Sequence, residues 1–458
     1  MIFDTLSSLP QSSGLPDAVA ETTQKLVDVL HRNLSRNVDR RRYFEGKVKP
    51  KTLGISIPDD VRLDVSCSWP EKAVTSLANR SNFDGFVGED AEAVMEMVAR
   101  TRLVDKYTKA LPSELICGCT FATVAQKDNR AQANYHSAET ASALWDNVEQ
   151  RISAGLAIID GVTSEFDGTY SPRLVNIYLD DSTWVCSSNG GAWSAEQVKH
   201  SMGRPMMEPM IYRADVFKPF GRSRITHPVM ALTDDYLREM ERIEVSAEFY
   251  TNPQRWASGL SDDQLQALIG DKWKYVIGSI MGFTENPQTG EAPVVGQFSQ
   301  MSMSPHIEYI NSLANQFSGV TNIPVSDLGV VQSTYVSAEA VQTAASNLCI
   351  EAEALNRSNQ EALDNIAAMA LAIDMNKTYE DVRELDFTAH FKDPRKPSLV
   401  AQADAILKAT QAVPKLAQSD YTLEQLGISQ TDIIRINSDA DRAAGIANMV
   451  GFEEFEEE

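Results

Sequence analysis

Tyr236, Met240, Ile243, Ala247 and Tyr250 recur every three or four residues, and Arg238, Glu239, Glu241, Arg242 and Glu244 fill positions between them. This is the pattern of a charged helical rod with one narrow apolar stripe. Thr233 is a good N-cap, Asp234 and Asp235 suit the positive end of the helix dipole, and Pro253 sets the latest end. A second rod opens at Ser304-Pro305, a cap followed by proline at the first helical position. It carries Ile310, Leu313, Ala314 and Phe317 until Gly319 and Pro324 stop it. A one-striped rod must bury its stripe against a like neighbour, and a ring of helix pairs does this. Residues 254–303, with Trp256, Trp273, Tyr275 and a turn at Asn286-Pro287-Gln288-Thr289-Gly290, read as a small α/β insertion at the end of the pair.

The rest of the chain reads as α+β. Val19, Leu26, Val27 and Leu30 predict a first helix that runs through Arg36, Arg40, Arg41 and Arg42 and stops at Gly46. Those arginines fit either a nucleic-acid patch or a solvated helix end held by the dipole and neighbouring carboxylates; we adopt the second. Two or three helices follow from Trp69-Pro70, broken at Gly85-Phe86-Val87-Gly88. Phe121–Val124, Leu156–Ile159, Val175–Leu179 and Trp184–Ser187 read as strands, with turns at Asp167-Gly168 and Asn189-Gly190. Ser337 caps a long helix reaching about Ile373, Leu385–Phe391 alternates as a strand, and Ser398, Thr422 and Ser429 head short helices. Gln425 is expected to complete a capping box with Thr422. Glutamates 453, 454 and 456–458 form a solvated acidic tail.

With 41 Lys and Arg against 64 Asp and Glu in 458 residues, the net charge of −23 argues against gripping nucleic acid by phosphate neutralisation. The five cysteines make no CxxC, so neither a disulfide framework nor a zinc site is expected. Cys117 and Cys119 are expected to share one face of a strand and pack. No secretory signal or membrane span is read. There is no GK[ST] phosphate loop, no HExxH and no nucleophile elbow. Gly221-Arg222-Ser223-Arg224-Ile225 lacks the second glycine and reads as a turn before a helix, and Asp180-Asp181 reads as a solvated turn. No catalytic residue, metal or cofactor is therefore predicted.

Several stretches in order resemble the portal proteins of tailed double-stranded DNA bacteriophages, in particular those of long-tailed phages. They are Tyr43-Phe44-Glu45-Gly46, Ser68-Trp69-Pro70-Glu71, Gly85-Phe86, Phe220-Gly221-Arg222-Ser223-Arg224-Ile225, Ser337-Ala338-Glu339-Ala340-Val341 and Phe391-Lys392-Asp393-Pro394 with Ala401-Gln402-Ala403-Asp404. Ser68 departs from the pattern, which has asparagine there.

The resemblance implies an α/β wing (1–227), a first stem helix (228–253), an α/β clip (254–303) and a second stem helix (304–321). It also implies a tunnel loop (322–336), a long wing helix and strand (337–395), and a helical crown with the acidic tail (396–458). It implies a ring, usually of twelve subunits, at one capsid vertex of the virion, assembled in the host bacterial cytoplasm and not in a membrane. Double-stranded DNA, weakly bound, would pass through it during packaging and ejection. Terminase, head-completion or adaptor proteins and the major capsid protein would be its partners. Gln332, Ser333, Thr334 and Tyr335 would face DNA from the tunnel loop; Glu239, Glu241, Glu244 and Glu248 would face the channel; Trp256 and Trp273 would make clip contacts. Two other classes fit the composition: an acidic α/β hydrolase or transferase using the insertion as a lid, and a scaffolding or capsid-shell protein.

Overall fold

The computed structural model describes residues 2–49, 64–128, 130–164, 170–251, 255–261, 290–297, 302–329, 345–395, 399–425 and 435–439, with isolated positions elsewhere up to 442. The chain divides into two units: residues 1–46, 68–227 and 321–458 form the first, and residues 47–67 and 228–320 the second.

In the first unit, short helices α1 (Ile2–Ser7) and α2 (Leu9–Ser12) precede α3 (Asp17–Phe44), which ends just before the left-handed Gly46. Leu26, Val27 and Leu30 of α3 pack with Leu6 and Leu9 on one face of an antiparallel sheet. That sheet has strand order β4 (Ala141–Asp146), β5 (Arg151–Thr163), β6 (Tyr170–Tyr178), β7 (Ser182–Asn189), β8 (Ala192–Lys199). Its inward positions follow the two-residue period: Leu156 and Ile158 on β5, Val175 and Ile177 on β6. The β7–β8 hairpin turns on Gly190-Gly191, both left-handed, with Asn189 paired to Ala192. The expected turn at Asp167-Gly168 lies outside the described residues.

Helix α4 (Trp69–Ala78), strand β1 (Phe83–Val87), α5 (Ala91–Thr101) and α6 (Leu103–Cys117) follow α3. Gly85–Val87, expected only to interrupt helices, belongs to a strand that ends just before Gly88: β1 pairs with β12 (Thr388–Phe391), and Phe83, Phe86, Tyr107, Phe387 and Phe391 cluster over the pair. A second sheet orders β3 (Arg130–Ser137), β2 (Cys119–Lys127) and β9 (Met207–Ile211). Cys117 and Cys119 do not share a strand. Gly118, at φ 104°, caps α6 and turns the chain into β2, so the two buried thiols sit on different elements.

Of the first helix's arginines, Arg41 holds Glu139 through both carboxylate oxygens at 2.8 and 2.7 Å. Arg40 reaches the Cys117 carbonyl at 3.1 Å. These two tie elements together, a correction to a purely solvated helix end; Arg42 is exposed beside Asp39.

The long later helix of this unit, α9, spans Ser346–Met375. Its run Ile366–Ala372 is buried on every side, as a helix apolar all round must be. The expected start at Ser337 lies outside the described residues. Short α10 (Tyr379–Arg383) has a capping box between Thr378 and Asp381 that the sequence reading missed. Beyond it are α11 (Leu399–Ala412), a 3-10 turn (Pro414–Gln418) and α12 (Asp420–Gln425). Thr422 is not a cap: α12 already begins at Asp420, and the Thr422 hydroxyl donates to the Leu416 carbonyl.

The second unit contains α7 (His227–Thr251) from Pro228 onward, the ribbon of β10 (Arg255–Ser258) and β11 (Val294–Gln297), and α8 (Ser304–Thr321) up to Val320. Helix α7 starts earlier than expected, because Pro228 is already suited to a first turn. Thr233 therefore lies one turn inside, its hydroxyl donating to the Val229 carbonyl at 2.8 Å. Helix α8 runs through Gly319 and ends at Thr321, before the left-handed Asn322.

Candidate functional site: paired rods and the junction between them

On α7 the acidic residues separate by environment. Glu239 is buried; its Oε1 lies 2.5 Å from Nδ1 of His306 on α8, and its Oε2 accepts from Arg242 at 3.1 Å. The other ring nitrogen of His306 is 3.2 Å from the Ser246 hydroxyl, so a polar set stitches α7 to α8 inside the second unit. Glu241 is also buried, and burial raises its carboxyl above the ordinary range. Glu244 is exposed, and the Glu248 side chain lies outside the described residues. Arg238 pairs with Asp235 one turn back. The stripe residues Tyr236, Met240, Ile243 and Ala247 are only half-buried within the single chain, and Ile307 and Tyr309 of α8 are exposed.

In the insertion, β10 and β11 hold the two ends together in antiparallel register. Trp256 pairs with Gly296 and its ring covers the space a Cβ would take, while the residue stays 41% exposed. Val294 and Val295 are exposed beside it. Trp273 lies outside the described residues.

The chain leaves the first unit after His227 and re-enters it at Thr321, and a buried junction within that unit fixes both points. Arg224 donates through Nη2 to the Thr321 carbonyl at 2.7 Å and through Nε to the Ala73 carbonyl. Its Nη1 reaches Glu351 of α9 at 2.5 Å and the Tyr212 hydroxyl at 2.9 Å. Tyr212 donates to the same Glu351 oxygen, Arg213 reaches it at 2.7 Å, and Asn322 donates to the other oxygen at 3.4 Å. Burial alone would raise the Glu351 carboxyl; Arg224 and the hydrogen bonds reverse this and hold it below the usual range. Burial pushes the Tyr212 phenol up to about 12. Ser223 braces the approach, donating to the Ile116 carbonyl at 2.6 Å.

After Asn322 the chain makes a 3-10 turn, Val325–Leu328, whose Leu328 carbonyl accepts from Trp69 Nε1 at 3.2 Å. The first part of the expected loop is thus seated against α4. Gln332, Ser333, Thr334 and Tyr335 lie outside the described residues.

The sequence reading missed Arg224 and Glu351. Their signals were faint: an arginine in a stretch read as a turn, and one acid on the same helical face as Leu348, Ala352 and Leu355. It also missed Glu114, fully buried, whose Oε2 accepts from Asn359 at 3.0 Å and whose Oε1 has no hydrogen-bond partner among the described residues. Burial pushes that carboxyl up to about 8, only partly opposed by Asn359. Among the described residues, no helix is long and apolar enough to cross a membrane.

A family model described as phage portal protein, SPP1 Gp6-like, matches residues 24–421. The portal protein of Mycobacterium phage D29 is 22% identical over 391 residues, covering 82% of this chain and 79% of that protein. The portal protein of Mycobacterium phage L5 is 21% identical over 406 residues, covering 86% and 82%. Among solved structures, a chain from the virion of a native gene transfer agent particle matches with a TM-score of 0.50 at 12% identity, over 93% of this chain and 99% of that one, a likeness of fold alone. On the extent of the family match, the chain belongs to the phage portal proteins of the SPP1 Gp6-like family.

Proposed function

We propose that this portal protein closes into a ring, twelve-membered as its resemblance implies, at one capsid vertex, where it is the channel for genome packaging and ejection. Terminase docks on it first and head-completion proteins later, the major capsid protein surrounds it, and assembly takes place in the host bacterial cytoplasm. Residues 1–227 and 337–395 act as wing, α7 and α8 as stem, 254–303 as clip, 322–336 as tunnel loop and 396–458 as crown. The observation that carries the ring is the stem stripe: Tyr236, Met240, Ile243 and Ala247 stay half-buried in one chain, which leaves apolar surface for a neighbouring copy to cover.

Within that reading Glu244 is the best candidate to face the lumen, because it is exposed and the described residues give it no ion pair, whereas Glu239 is committed to His306 and Arg242. Gln332, Ser333, Thr334 and Tyr335 touch the sugar-phosphate surface without ion pairs, and Trp256 and Trp273 serve clip contacts. The test is a packaging assay with residues 330–336 shortened. Rings that assemble but fill capsids poorly support the reading, and normal filling removes the tunnel-loop assignment.

A further inference from the structure

The chain carries 64 acidic against 41 basic residues, yet one cleft of its first unit has no acid in its lining. This cleft, of about 450 Å³, lies between the second half of α3, the starts of β2 and β4, and the segment 218–227 that leads into α7. Arg36 and Arg40 line it from α3, and Lys218, Arg222 and His227 from that segment. Arg36, Lys218, Arg222 and His227 are exposed, so an incoming group can reach them. Of these five, only Arg222 has a carboxylate partner among the described residues: Asp215 Oδ2 accepts from its Nε at 3.1 Å. Arg40 has neutral acceptors, Asn37 Oδ1 at 3.0 Å and the Cys117 carbonyl at 3.1 Å. Burial lowers its pKa from the ordinary guanidinium value, Arg36 adds to the effect, and no carboxylate opposes it. Like charges gathered without counter-ions repel, so an anion entering the cleft is stabilised there.

Beside the cleft stands a braced apolar turn. The Lys218 N–H donates to the Asp215 carbonyl at 2.9 Å, and the Asp215 N–H to the Lys218 carbonyl at 3.3 Å. Asp215 Oδ1 also accepts from the N–H groups of Phe217 and Lys218, at 2.9 and 2.8 Å. At the base Gly221, at φ 68°, passes so close to the Tyr212 carbonyl that a Cβ would sit 2.2 Å from its oxygen. The turn projects Val216 and Phe217 at 105% and 88% exposure. Lys218 belongs to both features, and half-buried Val29, Pro219 and Phe220 give the cleft an apolar wall of its own. Groups held in place before binding lose little freedom when a partner covers them.

We propose that the cleft and the turn together form a docking site for an acidic peptide segment of another protein, one that carries apolar side chains among its carboxylates. The carboxylates meet Arg36, Arg40 and Lys218, the guanidinium forks being matched to a carboxylate's two oxygens. An apolar side chain of the same segment covers Val216 and Phe217, which removes their surface from water. Duplex DNA would satisfy the cations through its phosphates but offers no apolar side chain to cover the turn. The site is built within the first unit of one chain and includes no part of the 254–303 insertion, so it depends neither on ring closure nor on the clip reading.

Fluorescence anisotropy with the full-length protein tests this. The probes are a labelled peptide of glutamates flanking leucine and phenylalanine, its counterpart with glutamine for glutamate, and a short single-stranded oligonucleotide. The acidic peptide should bind, with affinity falling as salt rises, and the glutamine peptide should not. Arg36→Glu combined with Lys218→Glu should weaken binding by roughly tenfold or more and flatten its salt dependence. Phe217→Ser should weaken binding with the salt dependence kept. All three residues are exposed, so an unchanged melting temperature verifies that the variants fold. Absence of acidic-peptide binding, equal binding of the glutamine peptide, or binding untouched by the charge reversal overturns the proposal. Two further outcomes also overturn it: variant-sensitive binding of the oligonucleotide alone, which assigns the cleft to nucleic acid, and loss of self-association in the charge-reversed protein with peptide binding unaffected, which assigns it to a second copy.

Discussion

Glu351 carries a charge into the interior, and Arg224, Arg213, Tyr212 and Asn322 all converge on its two oxygens. Removing one partner of such a pair strands the others, so Glu351→Ala should cost about 3–5 kcal/mol, read as a lower denaturation midpoint. Its carboxyl is held below the unfolded value, so the stabilisation is present above the unfolded pKa and lost as pH falls through the folded one. Glu114 has the opposite sign. With a folded value of about 8, its contribution is complete below the ordinary carboxylate range and is lost as pH rises toward 8. Glu114→Gln should flatten the stability profile between about pH 5 and 8 and leave the variant more stable than wild type at the alkaline end, by a few kcal/mol. A denaturant series across pH checks both, and an unchanged slope in Glu114→Gln would show that Glu114 titrates normally. Neither residue was legible beforehand, because a single acid in an apolar helix is silent until the fold shows what it meets. Glu239 was legible as a residue of the first charged rod, but its burial depends on His306, far away in sequence.

Among elements, periodicity located the helices α7 and α8, the strands β2, β5, β6 and β7 and the core-facing Leu26, Val27 and Leu30, because those signals are local. Ends were less legible, since several local signals compete there. Pro228 outweighed Thr233 as a start, and Gly319 did not end α8, because a glycine permits a left-handed exit without requiring one. Gly319 keeps helical geometry, is exposed, and leaves open space around an added Cβ. Gly319→Ala should therefore stabilise the protein by about 0.4–1 kcal/mol by narrowing the unfolded ensemble. A small upward shift in melting temperature is expected, and a loss would mean that another chain needs that space. Pairing of β1 with β12 joins Phe83 to Phe391, a separation at which no sequence period gives warning.

At the scale of the whole molecule, the net charge of −23 per copy sets how the proposed ring would meet duplex DNA. Neutralising six to ten phosphates would make affinity fall by roughly 10³–10⁵ between low and moderate salt and would hold DNA too firmly for passage. Isolated rings should therefore bind duplex weakly, without sequence preference and with a shallow salt slope, measured by fluorescence anisotropy; a steep slope would place basic residues on the channel wall. The family assignment and the half-buried stripe of α7 both bear on one claim, that this portal protein works as a closed ring. Electron microscopy of the purified full-length protein, with its mass measured in solution, tests that claim most directly. Rings with a central hole and a mass that is an integral multiple of the subunit are predicted; a monodisperse monomer at micromolar concentration would contradict it.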